Sequence, residues 1–161
     1  MWAAPIPPKI KIFWWKLLHN SIPTSWNRSN NHIPVNLECK ICDFGMVTSI
    51  HALFLCLIIK KLWKVSIFSH CISRASHGTL LNLVLWVKEL FIVEELHLFL
   101  LCTWESWNFR NAIVHKPDYR LDITSFSRTE AALLEFKRCQ ALILSLVSPG
   151  LSSPAMGPVL Q

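Results

Sequence analysis

Cys39, Cys42, His51 and Cys56 fall within eighteen consecutive positions, in the order C-x2-C-x8-H-x4-C. Two thiolates separated by two residues can reach one tetrahedral ion from a tight turn. Thiolate sulfur and imidazole nitrogen together suit borderline-soft zinc, and a Cys3His set leaves no coordination position open to a substrate. The pattern therefore points to a structural Zn2+ site. The competing reading is that free cysteines behave as small apolar side chains and are often buried. It applies to Cys71, Cys102 and Cys139, which lack a C-x2-C partner. The pairs His70–Cys71 and His97/Cys102 are read as packing residues on the same ground.

Geometry sets one condition on the site. Residues five apart on a regular helix point about 140° apart, so His51 and Cys56 can share an ion only at a cap or a distorted turn. Thr48 and Ser49 supply capping side chains just before His51. A small module with such a site owes much of its folding free energy to the ion.

The elements that must position these ligands read as helices. Apolar residues form 52% of the 161 and only four glycines occur, which favours a packed, mainly α domain over disorder or a turn-rich β fold. Ile10, Phe13, Trp14, Leu17 and Leu18 recur at helical spacing over 10–20, and Pro23 and Thr24 break that helix. A short turn follows at 25–28. Helical pattern resumes over 52–68, residues 69–78 read as a linker, and 79–114 supply one or two long helices. A last helix is expected over 126–147. The expected organisation is a small zinc-nucleated helical module at 2–66, a helical extension at 67–147 and a disordered tail at 148–161.

The apolar run 80–101 is long enough to span a bilayer, but Lys88, Glu89, Glu94 and Glu95 interrupt it. It is read as one or two buried amphipathic helices, and no membrane association is expected. Prolines and lysines stand where an apolar signal core would run. An intracellular protein, nuclear or cytoplasmic and with reduced cysteines, is the expectation.

The net charge of +6 is unevenly placed. Residues 1–74 carry nine Lys and Arg against Glu38 and Asp43, while residues 75–161 carry seven against eight acids. The basic excess thus sits with the cysteine cluster, which suits RNA or DNA as partner and equally suits a solvated face. The residues placed for such contact are Lys9, Lys11, Trp15, Lys16, Arg28, Lys60, Lys61 and Lys64. Trp14 lies on the apolar face of its helix, which leaves Trp15 as the ring for base stacking. Trp104, Trp107 and Phe109 with Arg110 read as helix packing with a cation over an aromatic ring.

The same residues resemble a known family. Pro7-Pro8-Lys9, a Trp-bearing helix over Phe13–His19, Ile22-Pro23-Thr24, the Cys39/Cys42 pair, "HALFLC" at 51–56 and Trp63 occur in an order similar to the zinc-binding domain that follows reverse transcriptase in plant non-LTR retroelement polyproteins. The match covers about residues 2–66. "WESWNFRNAIVHK" at 104–116 resembles a segment that follows in such polyproteins and extends the likeness to about residue 140. Lys40 and Leu57 replace prolines of the family pattern, and Ile50 stands where an acid often precedes the histidine; none of these removes a ligand.

The resemblance implies a non-catalytic zinc module. The family's polyproteins carry a polymerase with paired aspartates and an RNase H-like domain with metal-binding carboxylates. Here Asp118, Asp122, Glu130 and Glu135 lie in a loop and a helix without the strands such a site needs. No glycine-rich phosphate loop or G-x-S-x-G occurs. No catalytic residues, no small-molecule substrate and no enzyme activity are expected. The alternatives are a module that docks a reverse transcriptase or another protein without touching nucleic acid, and a relic fragment without a selected role.

Overall fold

The computed structural model describes residues 4–43, 45–73 and 79–115, together with Arg128, Ala131, Leu134 and Arg138. Those last four are helical, whereas the rest of 116–161, Cys139 among it, lies outside the described residues. The expected last helix is therefore seen only at these four positions. The tail at 148–161 and the acids Asp118, Asp122, Glu130 and Glu135 fall outside as well. Among the described residues every regular element is helical.

Helix α1 spans Pro8–Leu18. Pro8 stands in its first turn, where a missing N–H costs nothing and the fixed φ favours the helix. Ile10, Phe13, Trp14 and Leu17 form its buried stripe. Leu18, expected on that stripe, is instead exposed. Helix α2, Ser25–Asn30, begins at Thr24, whose hydroxyl accepts the Asn27 N–H at 3.1 Å. That is an ordinary N-cap for an otherwise unpaired donor.

A π-helical turn at His51–Leu55 precedes α3, Leu57–Lys64. Helix α4, Ser69–Ser73, occupies part of the stretch read as a linker. The correction has a physical basis, because Cys71 and Ile72 bury against the core and fix a helical turn there. The long apolar run divides into α5, Leu80–Leu90, and α6, Val93–His115. Phe91 is extended, and the Glu95 carboxylate reaches back to accept the Ile92 N–H at 3.1 Å, so a new helix starts there where a spanning one would continue. Among the described residues no helix is long and apolar enough to cross a membrane.

Helix α6 is the central element, packing on α1, the π-helical turn, α3 and α5. Its Phe99 sits among four other buried rings, with centroids 6.0 Å from Trp14, 6.1 Å from Phe54, 5.6 Å from Trp63 and 5.3 Å from Phe68. The Trp14 indole N–H donates to the Leu100 carbonyl at 2.9 Å, satisfying the polar edge of a fully buried ring. Thr103 and Ser106 bond back to the carbonyls of Phe99 and Cys102, so their hydroxyls are buried without loss. Replacing Phe99 with Ala removes the shared contact of all four rings. The expected destabilisation is about 3–5 kcal/mol, read as a fall in the urea midpoint of zinc-loaded protein.

Candidate metal centre

The first two ligands come from a turn pinned at its base. The Val47 N–H donates to the Leu37 carbonyl at 3.1 Å, Trp26 N–H donates to Val47 at 3.2 Å, and the Ser25 hydroxyl donates to Leu37 at 3.1 Å. Inside this bracket the chain reverses at Cys39–Asp43, closed by the Asp43 N–H on the Cys39 carbonyl at 2.9 Å. Asp43 adopts φ of 53°, a left-handed conformation that its short polar side chain tolerates. The turn thus forms with Lys40 exposed at the position of the missing proline.

The other two ligands flank the π-helical turn. The Thr48 hydroxyl accepts the His51 N–H at 3.1 Å, which caps the segment as its sequence suggests. The Cys56 N–H then reaches back five residues to the His51 carbonyl at 2.8 Å. This wider ring brings residues five apart close to one face, as a 3.6-residue turn does not. Cys56 itself is extended, with φ −57° and ψ 136°, and ends the turn before α3 begins. The interruption frees the Leu53 carbonyl, which accepts the Trp63 indole N–H at 2.8 Å.

The four ligand atoms all lie within 4.8 Å of one another. Cys39 Sγ and Cys42 Sγ are each 3.9 Å from Cys56 Sγ, and Cys42 Sγ is 3.6 Å from His51 Nε2. Zn–S and Zn–N bonds of about 2.3 and 2.0–2.1 Å at tetrahedral angles require edges of about 3.8 Å between sulfurs and about 3.6 Å from sulfur to nitrogen. The cluster is suited to hold a zinc ion. Among the described residues no other group of three or more His, Cys, Asp or Glu gathers its ligand atoms in this way. Cys71, Cys102 and His97 are buried in the core, and no disulfide joins Cys39, Cys42, Cys56, Cys71 or Cys102.

The electrostatics fit the same donor set. Burial alone pushes the Cys39 thiol up, but N–H donation from Ile41 and Cys42 and the neighbouring sulfurs outweigh it, and its pKa lies below the ordinary value. Burial, then the nearby Cys39 and Cys42, push Cys56 up to about 12. Burial, then the positive charges of Arg110 and Lys60, lower the pKa of His51 and hold its ring neutral, the form that ligates a metal.

The remaining sequence candidates are dispersed over three helices. Lys9, Lys11, Trp15 and Lys16 stand on α1, Arg28 on α2, and Lys60, Lys61 and Lys64 on α3. All are exposed except the half-buried Lys11. Trp15 is 44% exposed and Trp14 is buried, as their positions on the helix require. The Trp15 ring lies 4.6 Å from that of His19. The cation over Trp104 is Lys9, with Nζ 4.4 Å from the ring centroid. Arg110, the cation that the sequence pattern groups with these rings, is buried beside the core. The sequence held one sign of this: neither Ser106, Trp107, Ile113 nor Val114, its neighbours one helical turn away, is an acid.

A closed Cys3His set on a helical scaffold defines a zinc-binding domain. Residues 1–63 match the model of the family described as zinc-binding in reverse transcriptase, which supports the resemblance drawn from the residues themselves. No curated protein and no solved structure matches the chain.

Metal capture at this site must displace protons. Cys56, with its raised pKa, is protonated at neutral pH and releases a proton on ligation, so acid competes with the metal. Zinc affinity measured against a chromophoric chelator is expected to rise from about pH 6 to about pH 8. A flat profile contradicts a thiolate-rich site.

Proposed function

We propose that Cys39, Cys42, His51 and Cys56 together ligate one zinc ion, and that the zinc-ordered domain is a non-catalytic binder of RNA or DNA derived from a retroelement reverse transcriptase polyprotein. Bound zinc supplies structural cross-linking, since four protein ligands leave no position for a substrate. The observation that carries this reading is the gathering of the four ligand atoms within 4.8 Å of one another, inside the segment that matches the family. The binding role draws support from the exposed cations of α1, α2 and α3, which cluster in sequence with the metal ligands. Lys60, Lys61 and Lys64 lie on α3, whose N-cap is Cys56, so the helix that carries them starts at a ligand.

A docking role is the second reading, and a specific feature favours it. Leu81 and Leu85 are exposed one turn apart on α5, and Leu90, Ile92 and Val93 are exposed around its junction with α6. A protein partner such as a polymerase domain covers them on that reading.

Two measurements test these proposals. Purified protein is expected to contain about one zinc per chain, and Cys42→Ser to lose both the ion and much of the helical circular dichroism. Full zinc retention in that variant removes the site. Binding of a mixed-sequence oligonucleotide is expected to weaken by at least about tenfold between about 50 and about 200 mM salt, because phosphate contacts release counterions. No binding at micromolar protein favours docking.

A further inference from the structure

A second polar feature lies beside the metal centre. A cleft of about 480 Å3 opens between α2, the loop that carries the first two cysteines, and the C-terminal half of α6. Its volume lies within the roughly 300–1,000 Å3 of sites that enclose a small molecule, a scale that suits one nucleotide rather than a duplex. Three cations line it, Arg28 from α2, Lys40 from the cysteine turn and Arg110 from α6, against the single carboxylate of Glu38. Trp107 forms a half-buried aromatic wall, and the amides of Asn36 and Asn111 are also at the surface of the cleft.

Arg110 is the informative member. It is only 9% exposed, and its Nε is buried without a hydrogen-bond partner. A buried guanidinium is costly unless an anion or acceptors compensate it. Its planar fork matches the oxygens of a phosphate, and two further cations stand at the same opening. We infer that this cleft is a phosphate-binding site for single-stranded nucleic acid, in which Arg28, Lys40 and Arg110 hold a backbone phosphate and Trp107 walls the adjoining base. The inference rests on the nucleic-acid reading above and gives it a place. It assigns roles to Lys40, Trp107 and Arg110, two of which lie beyond the family match. The cysteine turn supplies one edge of the cleft and α6 another, so metal ligands and strand-binding residues share one scaffold.

The test uses the full zinc-loaded chain and a fluorescent single-stranded RNA and DNA of mixed sequence, with anisotropy as readout. Arg110→Gln removes a buried group and risks the fold, so the double variant R28Q/K40Q carries the experiment, with K60Q/K61Q outside the cleft as its comparison. R28Q/K40Q is expected to keep its zinc, to bind at least about tenfold more weakly, and to lower the salt slope by about 1, a loss of one or two phosphate contacts. An unchanged affinity in R28Q/K40Q, with the loss falling on K60Q/K61Q, overturns the cleft and leaves nucleic-acid binding standing. Equal loss for single strands and duplex also overturns it. If the unaltered chain binds no oligonucleotide, both readings fall together.

Discussion

Two ligands five residues apart in one helical segment cannot face the same ion, and the structure is organised around the way that conflict is resolved. The i to i+5 hydrogen bonding of this turn, seen in the bond from the Cys56 N–H to the His51 carbonyl, widens it enough to bring both side chains toward Cys39 and Cys42. The cost is an interrupted hydrogen-bond ladder. Trp63 repairs it by donating its indole N–H to the freed Leu53 carbonyl. The same five residues bury Leu53 and Phe54 on their other side. Ligation and core packing are therefore two faces of one distorted turn, and a change to either disturbs the other.

The core continues well past the segment that matches the family. Trp14, Phe54 and Trp63 belong to residues 1–63, yet the ring that joins them is Phe99 of α6. Trp14 also gives its only polar group to a carbonyl of that helix. Helix α6 has apolar residues on nearly all sides, as expected for an element surrounded by others rather than lying on a surface. It closes the hydrophobic core of the zinc-binding segment and also delivers a positive charge beside it.

That charge links the metal centre to the rest of the molecule. Three crowded sulfurs repel one another as thiolates, which is why burial and the neighbouring cysteines hold Cys56 so high. Burial, and after it the charges of Arg110 and Lys60, oppose protonation of His51. The donor set is thereby biased toward a neutral imidazole and thiols that yield their protons to a divalent cation. Around it, cations from α2, the cysteine turn and α6 converge on one cleft although they are distant in sequence.

Much of this was legible in the residues. The spacing of the four ligands, the Thr48 cap, the buried face of α1 and the exposure of Trp15 follow from local chemistry and helical period, which a sequence states directly. The need for a distorted turn between His51 and Cys56 was legible too, because it is arithmetic on 3.6 residues per turn. The form of the distortion was not, since it depends on Trp63 being placed to take the freed carbonyl. Nor was α4, which exists because Cys71 and Ile72 find a core to enter. The partner of Trp104 and the burial of Arg110 likewise depend on how α1 and the metal segment meet α6. Sequence by itself determined which atoms can bind zinc and which helix faces are apolar; tertiary structure decided which distant surfaces those faces meet, because packing, unlike period, is a property of pairs.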